Sequence, residues 1–170
     1  MFGRGKTLAM THRANALYKR YGNTLRFISN YHLNNIPYIP LINFKQLVDL
    51  GDENDDSQYV GTVVLIDEIS TVLSHRNFSN FPLEMLSMLL QQRKRHIYIM
   101  CTAQRFFMVD KIWRSITTRA IDCNKIWRFA NLKVYDAWDY EQAVNSGLLK
   151  PKANEWWFVR NSDYDAYDTS

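Results

Sequence analysis

The sequence predicts an α/β sandwich, three layers built around a mostly parallel central sheet. Three observations carry that expectation. Helical patterns alternate with short apolar runs along the chain. Residues 62–66 are a continuous, largely β-branched run of the kind buried on both faces of a parallel sheet. A glycine-rich turn at Gly3 and Gly5 opens directly into a helical pattern.

Each element follows in order. Over residues 6–21, Met10, Ala14, Leu17, Tyr18 and Tyr21 fall at helical spacing, and Gly22 stands where a left-handed residue ends a helix. Residues 24–29 read as a strand, Pro37 and Pro40 punctuate an extended loop, and residues 44–50 form a short helix or turn. The acidic loop 51–58 then leads into the strand 62–66. After a loop at 74–80, Pro82 suits a first helical turn, with Leu83, Leu86, Leu89 and Leu90 as the apolar face to about Gln92. A second buried strand is expected at 96–101, a helix at 110–115, and short strands at 120–123, 125–129 and 132–135. A helix at 140–146 ended by Gly147 and a last strand at 155–160 complete the pattern. Residues 1–160 read as one domain and 161–170 as a polar tail, frayed over 163–170.

Composition supports a single globular core. The chain has 170 residues with 46% apolar and 22% charged, which excludes intrinsic disorder and fibrous repeats. No apolar run approaches the roughly 20 residues that cross a bilayer, and Met1 is followed by glycines and charges rather than a signal-peptide core. A soluble chain that is not exported is therefore expected. Cys101 and Cys123 are too few for a disulfide framework or a zinc site, so a reducing compartment, the host cytoplasm, fits. Charge is laid out in blocks: +7 over residues 1–48, −7 over 49–90, +8 over 91–133 and −4 over 134–170. Two basic blocks in one small domain point to a polyanion, nucleotide phosphate or DNA, although a solvated surface explains the charge equally well.

The chemistry is concentrated in three segments. Gly3-Arg4-Gly5-Lys6-Thr7 is the second half of a P-loop (Walker A) motif, whose backbone N–H groups and helix N-terminus cradle phosphates. Gly3, Arg4, Gly5, Lys6, Thr7 and Leu8 are the candidate nucleotide-binding residues, with Lys6 reaching the β- and γ-phosphates and the Thr7 hydroxyl on Mg2+. The motif's first glycine would fall one residue before Met1, so the chain lacks that glycine and the strand before it; an N-terminal truncation or a misassigned start is expected. Val63-Val64-Leu65-Ile66-Asp67-Glu68 has the form of a Walker B motif: Asp67 would hold the metal and Glu68 would act as general base on the attacking water. Acids that end strands also serve as helix N-caps, the plainer alternative. Third, the strand at 97–101 runs into Thr102-Ala103-Gln104, where Gln104 or Thr102 would contact the γ-phosphate or its water.

In this order of motifs, with Gln92-Arg93-Lys94-Arg95-His96 before the T-A-Q strand and Val109-Asp110-Lys111-Ile112-Trp113-Arg114 after it, the sequence resembles the FtsK/HerA group of P-loop ATPases. Within that group it is most similar to the ATPase domain of zonula occludens toxin-like (Zot) proteins, assembly and export ATPases of filamentous phages, over residues 1–135. The resemblance implies a RecA-like ASCE fold, ATP and Mg2+ as cofactors, a hexameric homo-oligomeric ring, non-sequence-specific DNA as partner, and phage assembly proteins as further partners. It departs from full-length Zot proteins in its missing start and in having no transmembrane segment.

Several features carry two readings. Arg93, Lys94 and Arg95 supply an arginine finger or complement a helix C-terminus, with Arg114 and Arg119 as rival fingers. His12, His32, His75 and His96 lack metal-ligand spacing. Asp52, Asn54 and Asp56 imitate the start of a calcium loop, but Ser57 and Val63 break the pattern. Trp113, Trp127, Phe129 and Trp138 either stack on unpaired bases or, as aromatics in strands more often do, fill the core. The leading expectation is a DNA-translocating ATPase for packaging, extrusion or transfer. Its alternatives are a virion-assembly ATPase acting on protein at a membrane and a binding module without turnover.

Overall fold

The computed structural model describes residues 5–48, 50, 59–74, 83–143 and 149–168. In chain order the elements are α1 (Lys6–Tyr21), β1 (Leu25–Ser29), β2 (His32–Leu33), β3 (Ile39–Pro40), α2 (Lys45–Val48), β4 (Gly61–Ile66), α3 (Ile69–Ser74) and α4 (Leu83–Gln91). They continue with β5 (Ile97–Cys101), α5 (Lys111–Ile116), β6 (Arg119–Ile126), β7 (Phe129–Asp136), α6 (Ala137–Ala143), β8 (Ala153–Phe158), α7 (Asn161–Tyr164) and β9 (Tyr167–Asp168).

The central sheet is wholly parallel, in the order β3-β1-β4-β5, with Phe27 opposite Val63 and Val63 opposite Tyr98. Alternation of side chains along β4 explains its uninterrupted apolar run. Val63 and Leu65 pack with Met10 and Ala14 of α1 and with Phe27, while Val64 and Ile66 pack with Leu47, Met88, Leu89 and Trp113 from α2, α4 and α5. These two clusters make the three layers. At the start of β4 the chain must be glycine, because a Cβ on Gly61 would stand 2.9 Å from the His96 carbonyl oxygen.

A second, antiparallel sheet follows, in the order β6-β7-β8. The short strands expected at 120–123, 125–129 and 132–135 are instead two eight-residue strands of one hairpin, closed by Trp127 and Arg128. Leu8 joins α1 to this sheet by packing on Ala130 and Val159. Residues of β5 and β6, each an outermost strand of its sheet, line a cavity of about 1060 Å³ together with Lys6, Ala9, Met10 and Arg13 of α1 and Trp113 and Ile116 of α5. No described residue pairs with the outer edge of either strand.

Three further expectations are corrected. Leu90 is not on the buried face of α4: it is 67% exposed, and Met88 and Leu89 point inward. The extended loop with Pro37 and Pro40 contains β2 and β3, the latter parallel to β1. The C-terminal segment is not frayed over 163–168, because Tyr167 and Asp168 pair with Leu33 and His32, Ala166 is buried, and the Asp163 carboxylate accepts the Arg160 N–H at 2.8 Å. Pro82, Gly147, His75 and the acidic positions Asp52, Asn54 and Asp56 lie outside the described residues.

Candidate functional site

Gly5 adopts a left-handed conformation (φ 76°), which a residue with a Cβ rarely takes, and this turns the chain into α1. Ala9 N–H closes the first helical bond to the Gly5 carbonyl at 2.9 Å. The first turn of α1 carries no acid, so the positive end of this 16-residue helix is not neutralised from within. Lys6 is half-buried at the mouth of the large cavity, and Leu8 turns into the core. Gly3 and Arg4 lie outside the described residues.

In the first turn of α1, the Thr7 hydroxyl donates to Asp67 Oδ1 at 2.9 Å, across 60 positions of sequence. The Thr102 hydroxyl donates to the same oxygen and accepts the Glu68 N–H at 2.9 Å. Helix α1 and the end of β5 therefore converge on the one carboxylate that follows β4. Asp67 is also fixed through its backbone: its N–H donates to Asn30 Oδ1 at 2.7 Å, and Asn30 Nδ2 donates to its carbonyl at 3.0 Å. Beneath this, Thr11 donates to the Thr7 carbonyl at 2.9 Å, so the Tyr31 hydroxyl at 3.0 Å is the donor to Thr11. Burial pushes the Tyr31 hydroxyl well above its ordinary pKa and keeps it a neutral donor.

Glu68 follows with φ 50°, a left-handed, non-glycine conformation at the end of β4. Its Oε2 is buried and has no hydrogen-bond partner among the described residues. Such an orphaned carboxylate oxygen is the kind of atom a reacting water or a ligand satisfies. Asp67 and Glu68 line a second cavity of about 430 Å³ beside Asn30, Tyr38 and Asp168, whereas Lys6 and Gln104 line the larger one. Thr7 and Thr102 are thus both bonded to Asp67, while no hydrogen bond joins Lys6, Glu68 and Gln104 to one another. Of the two sensor candidates, Thr102 touches the acid; Gln104 is exposed and makes no hydrogen bond to a described residue.

The arginines separate as well. Arg95 donates to the carbonyls of Val48 and Leu50, bracing the end of α2. Arg114 pairs with Glu141 at 3.2 Å and donates to the Phe107 carbonyl. Arg93, Lys94 and Arg119 are exposed. Among the aromatics, Trp113 is core as expected, but Trp127, Phe129 and Trp138 are exposed, correcting the core reading for those three. Burial pushes the Cys123 thiol up to about 11, with Asp122 adding to the shift, so it is not a thiolate nucleophile near neutral pH. No group of three His, Cys, Asp or Glu suited to a metal occurs among the described residues. Nor is any helix there long and apolar enough to cross a membrane.

Sequence reasoning missed Asn30, whose signal was only a polar residue directly after a strand. It left Gln104 and Thr102 as alternatives, because a side chain's type says nothing about which carboxylate it meets.

Solved structures share this architecture. The N-terminal domain of zonular occludens toxin from Neisseria meningitidis superposes with a TM-score of 0.59 at 17% identity, covering 99% of this chain and 95% of that one. The flagellar accessory protein FlaH from Methanocaldococcus jannaschii gives 0.56 at 14% identity, covering 94% and 82%. The fold is of the RecA-like P-loop type, with a four-stranded parallel sheet. No family model matches the sequence, and no curated protein matches it.

Proposed function

We propose that the chain binds Mg2+-ATP at the Gly5–Leu8 turn and hydrolyses it, coupling turnover to movement of DNA in packaging, extrusion or transfer. The single observation that carries the proposal is the meeting of the Thr7 hydroxyl with the Asp67 carboxylate at 2.9 Å. These are the hard oxygen donors that suit Mg2+, and the orphaned Glu68 oxygen stands one residue away. Thr7 and Asp67 would hold the metal, which neutralises charge on the phosphate oxygens when bound.

Lys6 and the N–H groups of the Gly5–Leu8 turn bind the phosphates and orient them toward the end of β4. Glu68 accepts a proton from the attacking water, which its burial and lack of a competing hydrogen bond leave it free to do. Thr102 fixes the Asp67 carboxylate and the Glu68 backbone together, so metal ligand and base keep a constant separation. Arg93 and Arg119 are the exposed candidates for a finger reaching a neighbouring subunit in a hexameric ring, since Arg95 and Arg114 are engaged within the chain. The basic blocks at 1–48 and 91–133 support a phosphate-binding surface for DNA that does not read sequence.

A second reading keeps the ATPase and replaces DNA by a protein partner, in keeping with assembly proteins. It is favoured by the exposed rings of Trp127, Phe129, Trp156 and Phe158, three of which lie within 5.5–6.2 Å of one another at one end of the antiparallel sheet. The test is Mg2+-dependent ATP hydrolysis with and without DNA, on this chain and on a form lengthened ahead of Met1 by a strand and a glycine. DNA-stimulated turnover lost in Lys6→Ala supports the motor; turnover indifferent to DNA supports the protein partner; DNA binding without turnover in either form supports the binding module.

A further inference from the structure

We infer that Asn30 is a positioning residue that clamps the Asp67–Glu68 peptide and so sets where the Glu68 carboxylate stands. The inference deepens the reading above and rests on it for its kinetic consequences. The starting point is the left-handed φ of Glu68, a conformation disfavoured for any residue with a Cβ unless its surroundings impose it.

The imposing contacts can be named. The peptide unit between Asp67 and Glu68 is held from both sides: its carbonyl accepts from Asn30 Nδ2 at 3.0 Å, and its N–H donates to Thr102 Oγ1 at 2.9 Å. On either side of it, the Asp67 N–H donates to Asn30 Oδ1 at 2.7 Å and the Ile69 N–H donates to the Thr102 carbonyl at 2.9 Å. The parallel ladder between β1 and β4 has its last backbone pair at Ser29 and Leu65, after which the Asn30 N–H donates to the Leu65 carbonyl. The Asn30 carboxamide then takes the place of the next backbone peptide, offering one acceptor and one donor to the two faces of Asp67.

The amide side chain supplies both roles at once, from two separate atoms. Aspartate retains the acceptor and loses the donor, and alanine loses both. Because φ at Glu68 depends on how its preceding peptide is oriented, freeing that peptide releases the Glu68 carboxylate, while the Asp67 carboxylate keeps its own bonds from the Thr7 and Thr102 hydroxyls. Asn30 lines the second cavity beside Glu68, whereas Lys6 lies at the first.

The experiment compares Asn30→Ala and Asn30→Asp with the unaltered chain by amide hydrogen exchange and by steady-state Mg2+-ATP hydrolysis. Losing both hydrogen bonds of this solvent-exposed clamp should speed exchange of the Asp67 amide about tenfold in Asn30→Ala. Asn30→Asp should keep that amide protected. In turnover, kcat should fall about tenfold or more in Asn30→Ala with KM nearly unchanged, because the base is displaced while phosphate binding is not. Asn30→Asp should fall between. Unchanged exchange at Asp67 in Asn30→Ala overturns the clamp, as does a rise in KM that matches the loss of kcat. If Asn30→Ala fails to fold, Asn30→Asp decides by the same measures: kcat equal to the unaltered chain overturns the proposal. If the unaltered chain hydrolyses no ATP, the ATPase reading fails, and the exchange measurement still decides the clamp.

Discussion

Replacing Thr102 by valine removes one hydroxyl and almost no volume, which makes it the cleanest probe of the convergence at Asp67. Thr102 is 6% exposed, and its hydroxyl makes two bonds: it donates to Asp67 Oδ1 and accepts the Glu68 N–H at 2.9 Å. The first is charge-assisted but at a half-buried carboxylate, so about 1.5 kcal/mol is the appropriate end of the usual range. The second leaves a peptide N–H without a partner, at about 1–2 kcal/mol. Valine should therefore cost about 2–4 kcal/mol, which for a chain of this size lowers Tm by roughly 5–12 °C. Thr102→Ser keeps both bonds and loses one methyl group, at about 1 kcal/mol. The assay is urea or thermal unfolding of the three proteins side by side. Equal stability of Thr102→Val and Thr102→Ser would refute the argument that the hydroxyl holds this site together.

Other expectations are as direct. Gly61→Ala places a Cβ 2.9 Å from the backbone oxygen of His96, so calorimetry should show a loss of about 1–3 kcal/mol, and no loss would mean that β4 and β5 are spaced more widely than described. Asp136 accepts from Lys152 Nζ at 3.0 Å and from the Trp138 N–H, which hold its carboxyl below its ordinary range. Its contribution is accordingly present above the unfolded-state pKa and is lost as pH falls through the lower folded-state value; Asp136→Asn should flatten the acid limb of the stability curve, and an unchanged limb contradicts the pairing. Glu68→Gln should bind Mg2+-ATP as the unaltered chain does and lose turnover by about 10²–10⁴-fold, measured by equilibrium binding beside hydrolysis.

What could be read in advance follows from where the determinants lie. Helix α1 was legible to its ends because Met10, Ala14 and Leu17 keep helical spacing and Gly22, with φ 58°, stops it. Strand β4 was legible because burial on both faces leaves an unbroken apolar run, and the acids after it stand out by contrast. The β6–β7 hairpin was not, since its turn is Trp127-Arg128, with φ 53° at a tryptophan, and carries none of the glycine or asparagine that marks such turns. A strand expected at 125–129 ran straight across that corner. The tail was misjudged because Tyr167 and Asp168 gain their order from pairing with β2, more than 130 positions away, which local polarity cannot reveal. Within the site, Lys6, Thr7, Asp67 and Glu68 sit in motifs of fixed spacing. Asn30 and the preference for Thr102 over Gln104 emerge only once β1, β4 and β5 lie side by side.

The measurement that bears most directly on the central claim is Mg2+-ATP hydrolysis by the chain and by Lys6→Ala, each with and without DNA, in the present and the N-terminally lengthened forms. The account predicts Mg2+-dependent turnover that DNA raises and Lys6→Ala abolishes. Failure of both forms to bind or hydrolyse ATP would contradict it, and would leave the Thr7–Asp67–Thr102 contact as a structural tie within a P-loop fold.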